Sequence, residues 1–231
     1  ADMYMFTDAV AQEVVSAGLS ANLSCGGVLF DPVFDPKTCH DCVAQEALAQ
    51  RWHGYGDGQI RFDASIHAEY TSRSELWKWT ADFAKANGLG MHVHISETRK
   101  EHAECIQRHG KTPVQTLDRY GVWDVRGIAA HCVYTTAEDW AILAAKGVSA
   151  VHNPCSNLKL GSGIAPVPAM KAAGVNVCLG TDGVSSNNNH DMFEEMKLAA
   201  ILHNGAACDP LALGSLSLIH ISEPTRHLRI S

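Results

Sequence analysis

Short runs rich in β-branched residues alternate along the chain with stretches of helical periodicity. The runs predict strands at residues 21–28, 60–66, 90–95, 127–131, 148–152 and 175–180, with residues 1–6 as the end of an earlier strand. Four of the intervening helices end at a residue that readily adopts a positive φ angle: Gly18, Gly88, Gly147 and Gly174. This β-α-β-α order indicates a parallel sheet with right-handed crossovers.

The helix that ends at Gly88 also has a sequence signal for its N-terminus. Ser72 and Glu75 have the spacing of a capping box, in which each of the two side chains accepts a bond from the other's backbone N–H. We therefore expect side chains to satisfy the first N–H groups of this helix.

Polar residues gather where the predicted strands end. These residues are His67, His94, Glu97, His131, His152 and Asp182. In a parallel barrel the carboxyl ends of all strands share one face, where active sites are built. No glycine-rich phosphate loop of the GxGxxG or GxxxxGK type follows the first strands. The pattern predicts an α/β fold, a (β/α)8 TIM-type barrel.

The composition excludes some partners. The 231 residues are 46% hydrophobic and carry a formal net charge of −7, which argues against nucleic acids and anionic membranes as partners. No apolar run approaches the roughly 20 residues of a membrane span. Without a secretory signal, the eight cysteines indicate reduced thiols and a cytoplasmic protein. Cys39 and Cys42 form a CxxC without a second pair, so we interpret it as a helix surface with two thiols rather than a zinc site.

Four strand-end residues have the chemistry of a metal site. They are His94, His131, His152 and Asp182, and successive members lie about one βα unit (~20–40 residues) apart. Neutral imidazole and carboxylate suit one divalent ion, zinc first and iron as the alternative. Glu97 follows closely enough to lean over the same mouth as a proton carrier. His92 shares the strand face of His94 but lies deeper, so we expect a packed or supporting role.

Four motifs carry a family resemblance. They are "HISE", "AAHCV", "VHNPCSNLKLGSGIAP" and "LGTDGVSSNN", in this order. Together they resemble the amidohydrolase superfamily, and within it the methylthioadenosine/S-adenosylhomocysteine deaminase group. The resemblance covers residues 1–214 and implies a distorted (β/α)8 barrel with one catalytic divalent metal, usually zinc.

The resemblance also implies residue roles. His94 and Asp182 match metal ligands at the ends of the fifth and eighth strands. Asp182 and His131 match the residues that orient the attacking water, and Glu97 matches the glutamate that moves protons to and from the substrate ring. The residues expected to contact substrate are His67, Glu97, His152 and Asp182.

The predicted activity is the metal-dependent hydrolytic deamination of an adenine-type nucleoside, with release of ammonia. Methylthioadenosine, S-adenosylhomocysteine and deoxyadenosine-like compounds are the expected substrates. Guanine or cytosine deamination, triazine hydrolysis and a non-catalytic barrel are alternatives, because the fold does not fix the substrate. The predicted partner is a small nucleoside or heterocyclic amine, and a homo-oligomer is left open.

The sequence departs from the implied pattern in two places. The family's first strand carries an HxH pair with two metal ligands, and we expect this pair roughly 40–60 residues before Ala1, about one or two βα units. The chain would then hold half of its metal site and be inactive alone. Cys25 stands where an arginine usually contacts the substrate's polar tail, and a thiol cannot pair with a carboxylate as arginine does.

Two regions are predicted. Residues 1–215 form a partial amidohydrolase barrel, from the end of the second strand to the helix after the eighth. Residues 216–231, "LSLIHISEPTRHLRIS", have no clean periodicity and resemble sequencing-adapter read-through, so we interpret them as a non-native tail.

Overall fold

A computed structural model describes residues 1–214, and the predicted tail lies outside these residues. The strands are β1 (Asp2–Met3), β2 (Ala21–Ser24), β3 (Ile60–Phe62), β4 (Ala64–Ala68), β5 (Met91–Ile95), β6 (Gly127–His131), β7 (Ser149–His152) and β8 (Asn176–Leu179). The helices are α1 (Thr7–Ser16), α2 (His40–Trp52), α3 (Tyr55–Gly58), α4 (Ser74–Asn87), α5 (Arg99–His109), α6 (Pro113–Asp118), α7 (Ala137–Lys146), α8 (Pro154–Lys159), α9 (Val167–Ala172), α10 (Val184–Asn187) and α11 (Met192–Ala207).

The strands follow chain order in two parallel sheets. One sheet has the order β1-β2-β3 and the other the order β4-β5-β6-β7-β8. A single parallel bridge between Gly27 and Ile66 connects the segment after β2 to β4. Every described pairing is parallel, with helices between most successive strands, so the predicted α/β fold and incomplete TIM-type barrel are confirmed.

The predicted strand at 60–66 is two strands, which corrects the sequence interpretation. The backbone changes its partner at Asp63: the N–H of Asp63 donates to the carbonyl of Leu23, whereas the N–H of Ala64 donates to the carbonyl of Gly90. The Asp63 carboxylate is buried and accepts bonds from Gly90 N and the side chains of Asn22 and Arg126. This aspartate therefore joins strands from both sheets.

A large buried cluster supports the five-stranded sheet. It includes Leu76 and Trp77 of α4, Leu117 of α6, Leu143 of α7 and Val93 of β5. Burial of each large apolar side chain contributes about 1.5–3 kcal/mol, so helices and strands form a stiff base for the residues at the strand ends. A smaller cluster packs α1 and α2 against β2 and β3: Ala11, Leu23, Trp52 and Ile60.

The predicted capping box of α4 is wrong. The helix begins at Ser74 after Arg73, and no side chain accepts a bond at its N-cap. Ser72 instead donates to the carbonyl of Ala68 and accepts a bond from the indole N–H of Trp77, so it ties the helix to the end of β4. The capping boxes of α5 and α7 are formed by Thr98 with Glu101 and by Thr136 with Asp139.

Candidate active site

Three histidines on neighbouring strands form the centre of the site. The His94 ring on β5 lies 4.9 Å from the His67 ring on β4 and 5.4 Å from the His131 ring at the end of β6, measured between centroids. His94 Nδ1 lies 2.9 Å from the carbonyl oxygen of His67, to which it donates. This bond leaves the lone pair of His94 Nε2 free, which is the arrangement of a metal-ligating imidazole.

His94 is held in its neutral form. Burial lowers the pKa of His94 to about 4, with smaller contributions from His131 and His67. A neutral ring is the form that binds a divalent ion. The pKa of His67 is also lowered by burial, and His67 Nδ1 lies 3.1 Å from the hydroxyl of Thr71.

His92 lies inside the barrel, as its depth on the strand suggests. It is buried, and its Nδ1 lies 3.3 Å from the hydroxyl of Ser24 on β2. Burial lowers the pKa of His92 well below its ordinary value. The contact links β5 to a strand of the other sheet, so the described contacts give His92 a packing role.

His131 reaches the mouth through an unusual backbone conformation. In the β5–β6 register, Ile95 faces His131, while His94 faces Ala130. Simple alternation would therefore direct the His131 side chain away from His94. His131 has a φ of 71°, in the left-handed region that non-glycine residues rarely adopt, and this turn brings its ring back to the mouth. The ring is fixed there because Nδ1 donates to Asn157 Oδ1 at 2.9 Å.

Glu97 faces His131 across the mouth. The distance between Glu97 Oε2 and His131 Nε2 is 3.9 Å. The other carboxylate oxygen, Oε1, accepts a bond of 3.4 Å from the hydroxyl of Ser162. The Glu97 backbone N–H donates to Glu101, the capping-box partner of Thr98 at the start of α5, and the preceding Ser96 has a φ of 48°. The start of α5 thus positions the carboxylate at the mouth.

Asp182 follows β8 and has a φ of 60°. Its Oδ2 accepts a bond of 2.6 Å from the Ser156 hydroxyl, and its Oδ1 accepts one of 2.6 Å from the N–H of Gly183. Ser156 is the neighbour of Asn157, which holds His131. The segment after β7 therefore contacts both the predicted eighth-strand ligand and the sixth-strand histidine.

His152 has a different environment. Its Nε2 lies 3.2 Å from Nε2 of His203 on α11, and its buried Nδ1 has no partner among residues 1–214. Burial, followed by His203, lowers the pKa of His152 to about 3. The described contact of this ring is with α11, so its role in substrate binding stays a prediction.

The residues present fit part of a divalent-metal site. His94 offers a free Nε2 and Asp182 a carboxylate, and both are donors that zinc accepts. Within residues 1–214, however, these two are not joined by a third His, Cys, Asp or Glu in a compact group. His94 and Asp182 therefore match the donor chemistry of a zinc site, and their role as ligands stays a prediction.

A compact group of three such residues lies elsewhere, at Glu69, Cys105 and His109. There the Glu69 carboxylate is buried and already paired with Arg108 and His109. Burial raises the pKa of Cys105 to about 12, so its thiol keeps the proton that a metal would have to displace. We interpret this group as an ion-pair network between the end of β4 and α5.

Cys25 follows β2 at the position where the family resemblance implies an arginine. Burial, with a smaller contribution from Asp41, raises the pKa of its thiol to about 12. The side chain is therefore neutral.

Sequence reasoning did not assign roles to Ser156, Asn157 or Ser162. All three are buried and bond to predicted site residues. They lie in the "NPCSNLKLGSG" motif, whose density of Asn, Ser and Gly after a strand was the available signal.

The parallel barrel and the histidine-rich mouth define a class of protein, and comparison with known proteins identifies the family. The sequence profile of the amidohydrolase family matches residues 11–217, and the chain belongs to this family. The predicted resemblance is thereby confirmed. None of the helices within residues 1–214 has the length and apolar character of a membrane span.

Two curated relatives are similar to this chain over most of its length. The chain is 46% identical over 210 residues to 5-methylthioadenosine/S-adenosylhomocysteine deaminase of Moorella thermoacetica, covering 91% of this chain and 48% of that protein. It is 42% identical over 223 residues to 5'-deoxyadenosine deaminase of Methanothermobacter thermautotrophicus, covering 96% of this chain and 51% of that protein. The chain spans about half the length of these relatives.

A solved structure shows the same fold. The zinc-bound adenosine deaminase from Xanthomonas campestris superposes with a TM-score of 0.85 at 32% identity, over 95% of this chain and 49% of that chain. The described residues therefore correspond to about half of that structure.

Proposed function

We propose that this chain provides the acid–base part of a metal-dependent aminohydrolase that acts on adenine-type nucleosides. The observation that carries the proposal is the Glu97–His131 pair beside the neutral His94. The activities named for the relatives from Moorella thermoacetica and Methanothermobacter thermautotrophicus support the substrate class. The zinc-bound relative from Xanthomonas campestris supports zinc as the metal, with iron as the alternative.

His94 and Asp182 would hold the metal. When bound, a divalent ion acts as a Lewis acid that makes water a better nucleophile near neutral pH. The free Nε2 of His94 and the two oxygens of Asp182 are the donors on this chain. Ser156 and Gly183, which donate to Asp182, keep its carboxylate in one orientation.

The remaining residues move protons and hold the substrate. Glu97 lies where it can take a proton from water and give one to the ring nitrogen next to the reacting carbon. His131 presents Nε2 toward Glu97 because its Nδ1–H is bonded to Asn157. The neutral ring of His67, beside His94, would contact the substrate.

The reaction balances without a redox partner. The oxygen of water bonds to the carbon that carries the exocyclic amine, and the bond between that carbon and the amine nitrogen breaks. The nitrogen leaves as ammonia with the bonding electrons and protons delivered through Glu97. The products are an inosine-type nucleoside and ammonia.

The neutral thiol of Cys25 favours substrates with short tails. A guanidinium at this position would pair with a carboxylate on the tail, and a thiol does not. Methylthioadenosine and deoxyadenosine-type compounds are therefore proposed ahead of S-adenosylhomocysteine. The eight cysteines, all within residues 1–214, form no disulfide, which supports the proposal that the protein acts in a reducing compartment such as the cytoplasm.

A chimera tests this function. Residues 1–214 replace the matched part of the Moorella thermoacetica relative, whose preceding segment is kept. The purified, zinc-loaded chimera should release ammonia from 5'-methylthioadenosine, whereas the 231-residue chain alone should not. Release only from guanine, cytosine or a triazine would favour those alternatives. No release from any of these compounds, with the parent relative active in parallel, would favour a non-catalytic barrel.

A further inference from the structure

The loop of residues 157–163 contacts both residues that handle protons. At its start, Asn157 Oδ1 accepts a bond of 2.9 Å from His131 Nδ1. Near its end, the Ser162 hydroxyl donates to Glu97 Oε1 at 3.4 Å. Both loop side chains are buried, at 0% and 4% exposure, so both contacts lie in the protein interior.

Backbone bonds fix the distance between these two contacts. The N–H groups of Ser162 and Gly163 donate to the carbonyl of Asn157 at 2.8 and 3.3 Å. The hydroxyl of Tyr134, three residues after His131, donates to the carbonyl of Ser162 at 2.7 Å. The loop is thus closed on itself and tied to the segment after β6.

Gly163 makes this close approach feasible. Its φ is 128°, and a Cβ there would lie 3.0 Å from Cγ1 of Val133. A larger residue would push the loop away from the segment that follows His131. The glycine therefore keeps Ser162 within reach of Glu97.

The contacts form a closed ring. It runs from His131 to the Asn157 side chain, through the Asn157 carbonyl to Ser162, from Ser162 to Glu97, and back to His131 across 3.9 Å. Among residues 1–214, Ser162 is the hydrogen-bond donor to the Glu97 carboxylate, and no second side-chain donor is within bonding distance.

We propose that Asn157 and Ser162 are positioning residues: the 157–163 loop fixes His131 as the Nδ1–H tautomer, whose Nε2 lone pair faces the mouth, and holds the Glu97 carboxylate on the opposite side of that mouth. The catalytic significance of this arrangement rests on the proposed function. The contacts themselves are all made by residues of this chain. The Ser162 hydroxyl restricts the orientation of the Glu97 carboxylate through a contact of 3.4 Å, which is long for an O–H···O hydrogen bond. Asn157 supplies an acceptor that selects one tautomer of the ring.

The first test reads the tautomer of His131. Nitrogen NMR of the ¹⁵N-labelled 231-residue chain distinguishes a protonated Nδ1 from a protonated Nε2. We expect Nδ1–H in the wild type and in Asn157→Asp, which keeps the acceptor oxygen, and a majority of Nε2–H in Asn157→Ala. Nδ1–H in the folded Asn157→Ala chain would overturn the role of Asn157. Nε2–H in the wild type would overturn it as well.

The second test reads the orientation of Glu97. Three-bond couplings to Cγ report the χ1 angle, which we expect to be a single rotamer in the wild type. Ser162→Ala should average these couplings, and Ser162→Thr, which keeps the hydroxyl, should restore them. Ser156→Ala is the matched control: it removes a buried hydroxyl from the same segment but one bonded to Asp182, so the Glu97 couplings should not change. Unchanged couplings in Ser162→Ala would overturn the role of Ser162.

These readouts separate the two proposals. If both NMR effects are seen but the chimera is inactive, the positioning role of Asn157 and Ser162 stands and the proposed function is contradicted. An active chimera without the NMR effects would contradict the positioning and leave the function intact.

Discussion

His131 and Glu97 face each other at 3.9 Å although His131 ends β6, Glu97 follows β5, and the pleat of β6 would direct His131 away from the mouth. Left-handed backbone at His131 and at Ser96, just before Glu97, produces the encounter. Such conformations cost of order 1–3 kcal/mol each and persist only where surrounding contacts hold them. Here those contacts are the Asn157 amide and the Glu101 carboxylate.

Replacing Glu97 by Gln should remove proton transfer from the chimera. We expect kcat on 5'-methylthioadenosine to fall about 10²–10⁴-fold with KM changed only a few-fold, because general acid–base catalysis contributes on that scale. Ammonia release gives both constants. Glu138→Gln, at an exposed position on α7, is the control and should keep full activity. Retention of kcat in Glu97→Gln would remove Glu97 from the mechanism.

Removal of His94 should weaken zinc binding by the 231-residue chain. His94→Ala deletes a neutral imidazole with a free Nε2, and we expect at least about a tenfold loss of affinity, since removal of a residue that only supports a ligand already costs that much. Competition with a chromophoric chelator measures it. His40→Ala, on an exposed histidine, should leave the affinity unchanged.

The same titration distinguishes the two candidate positions for zinc. Loss of zinc in His109→Ala, with His94→Ala unaffected, would place the ion at the Glu69 network and contradict the proposed ligands. The protonated thiol of Cys105 is the reason to expect the opposite.

Asp63 should be a main contributor to stability. Asp63→Ala leaves Gly90 N, Asn22 and Arg126 without their buried acceptor, and we expect a loss of about 2–4 kcal/mol in the free energy of unfolding. Arg126→Ala should cost less, about 1 kcal/mol or below, since Arg126 is half exposed and Asp63 keeps its other donors. Urea unfolding of the 231-residue chain measures both. Equal losses would show that the ion pair, not the buried acceptor, dominates.

Glu101 should make stability depend on pH. Burial raises its pKa to about 7 in the folded chain, although bonds from the N–H groups of Ser96, Glu97 and Thr98 oppose the shift. Between about pH 4.5 and 7 the folded state keeps a proton that the unfolded state has lost, so this group destabilises the fold as pH rises. The full effect is about 3 kcal/mol at 1.4 kcal/mol per pH unit.

The difference between wild type and Glu101→Gln isolates this effect. The buried His94 and His152, whose pKa values are lowered, act in the opposite direction: their contribution is present above about pH 6.5 and is lost on acidification. Both are shared by the two chains and cancel. Relative to Glu101→Gln, the wild type should gain stability from pH 7 down to pH 4.5 in urea unfolding, and a constant difference would contradict the raised pKa.

Local pattern was sufficient for most of the fold. The apolar runs gave β5 and β6 to within one residue, because a buried parallel strand has to be apolar and short. The division at Asp63 was not predictable, since it depends on a change of partner from β2 to β5 that only the folded sheet defines. The Ser72–Glu75 spacing failed because Trp77 and Ala68, brought close by tertiary packing, bind the Ser72 hydroxyl.

The candidate site was predictable in its residue types and less so in its geometry. Strand-end position predicted that His67, His94 and His131 gather at one mouth, since parallel strands end on one face, but not the left-handed backbone that brings the His131 ring there. The pairing of His152 with His203 could not be foreseen, because α11 comes about 50 residues later and its face is set by packing. The roles assigned to His67, His94, His131 and His152 in catalysis and in metal and substrate binding stay predictions.

The left-handed turns at Ser96, His131 and Asp182 limit how this mouth can change over generations. Valine, isoleucine or threonine at these corners would collide with their own backbone, so drift there is costly even apart from catalysis. Substitutions cost less where the main chain is not left-handed. The site of Cys25 is one such place, and its side chain already differs from the arginine that the resemblance implies.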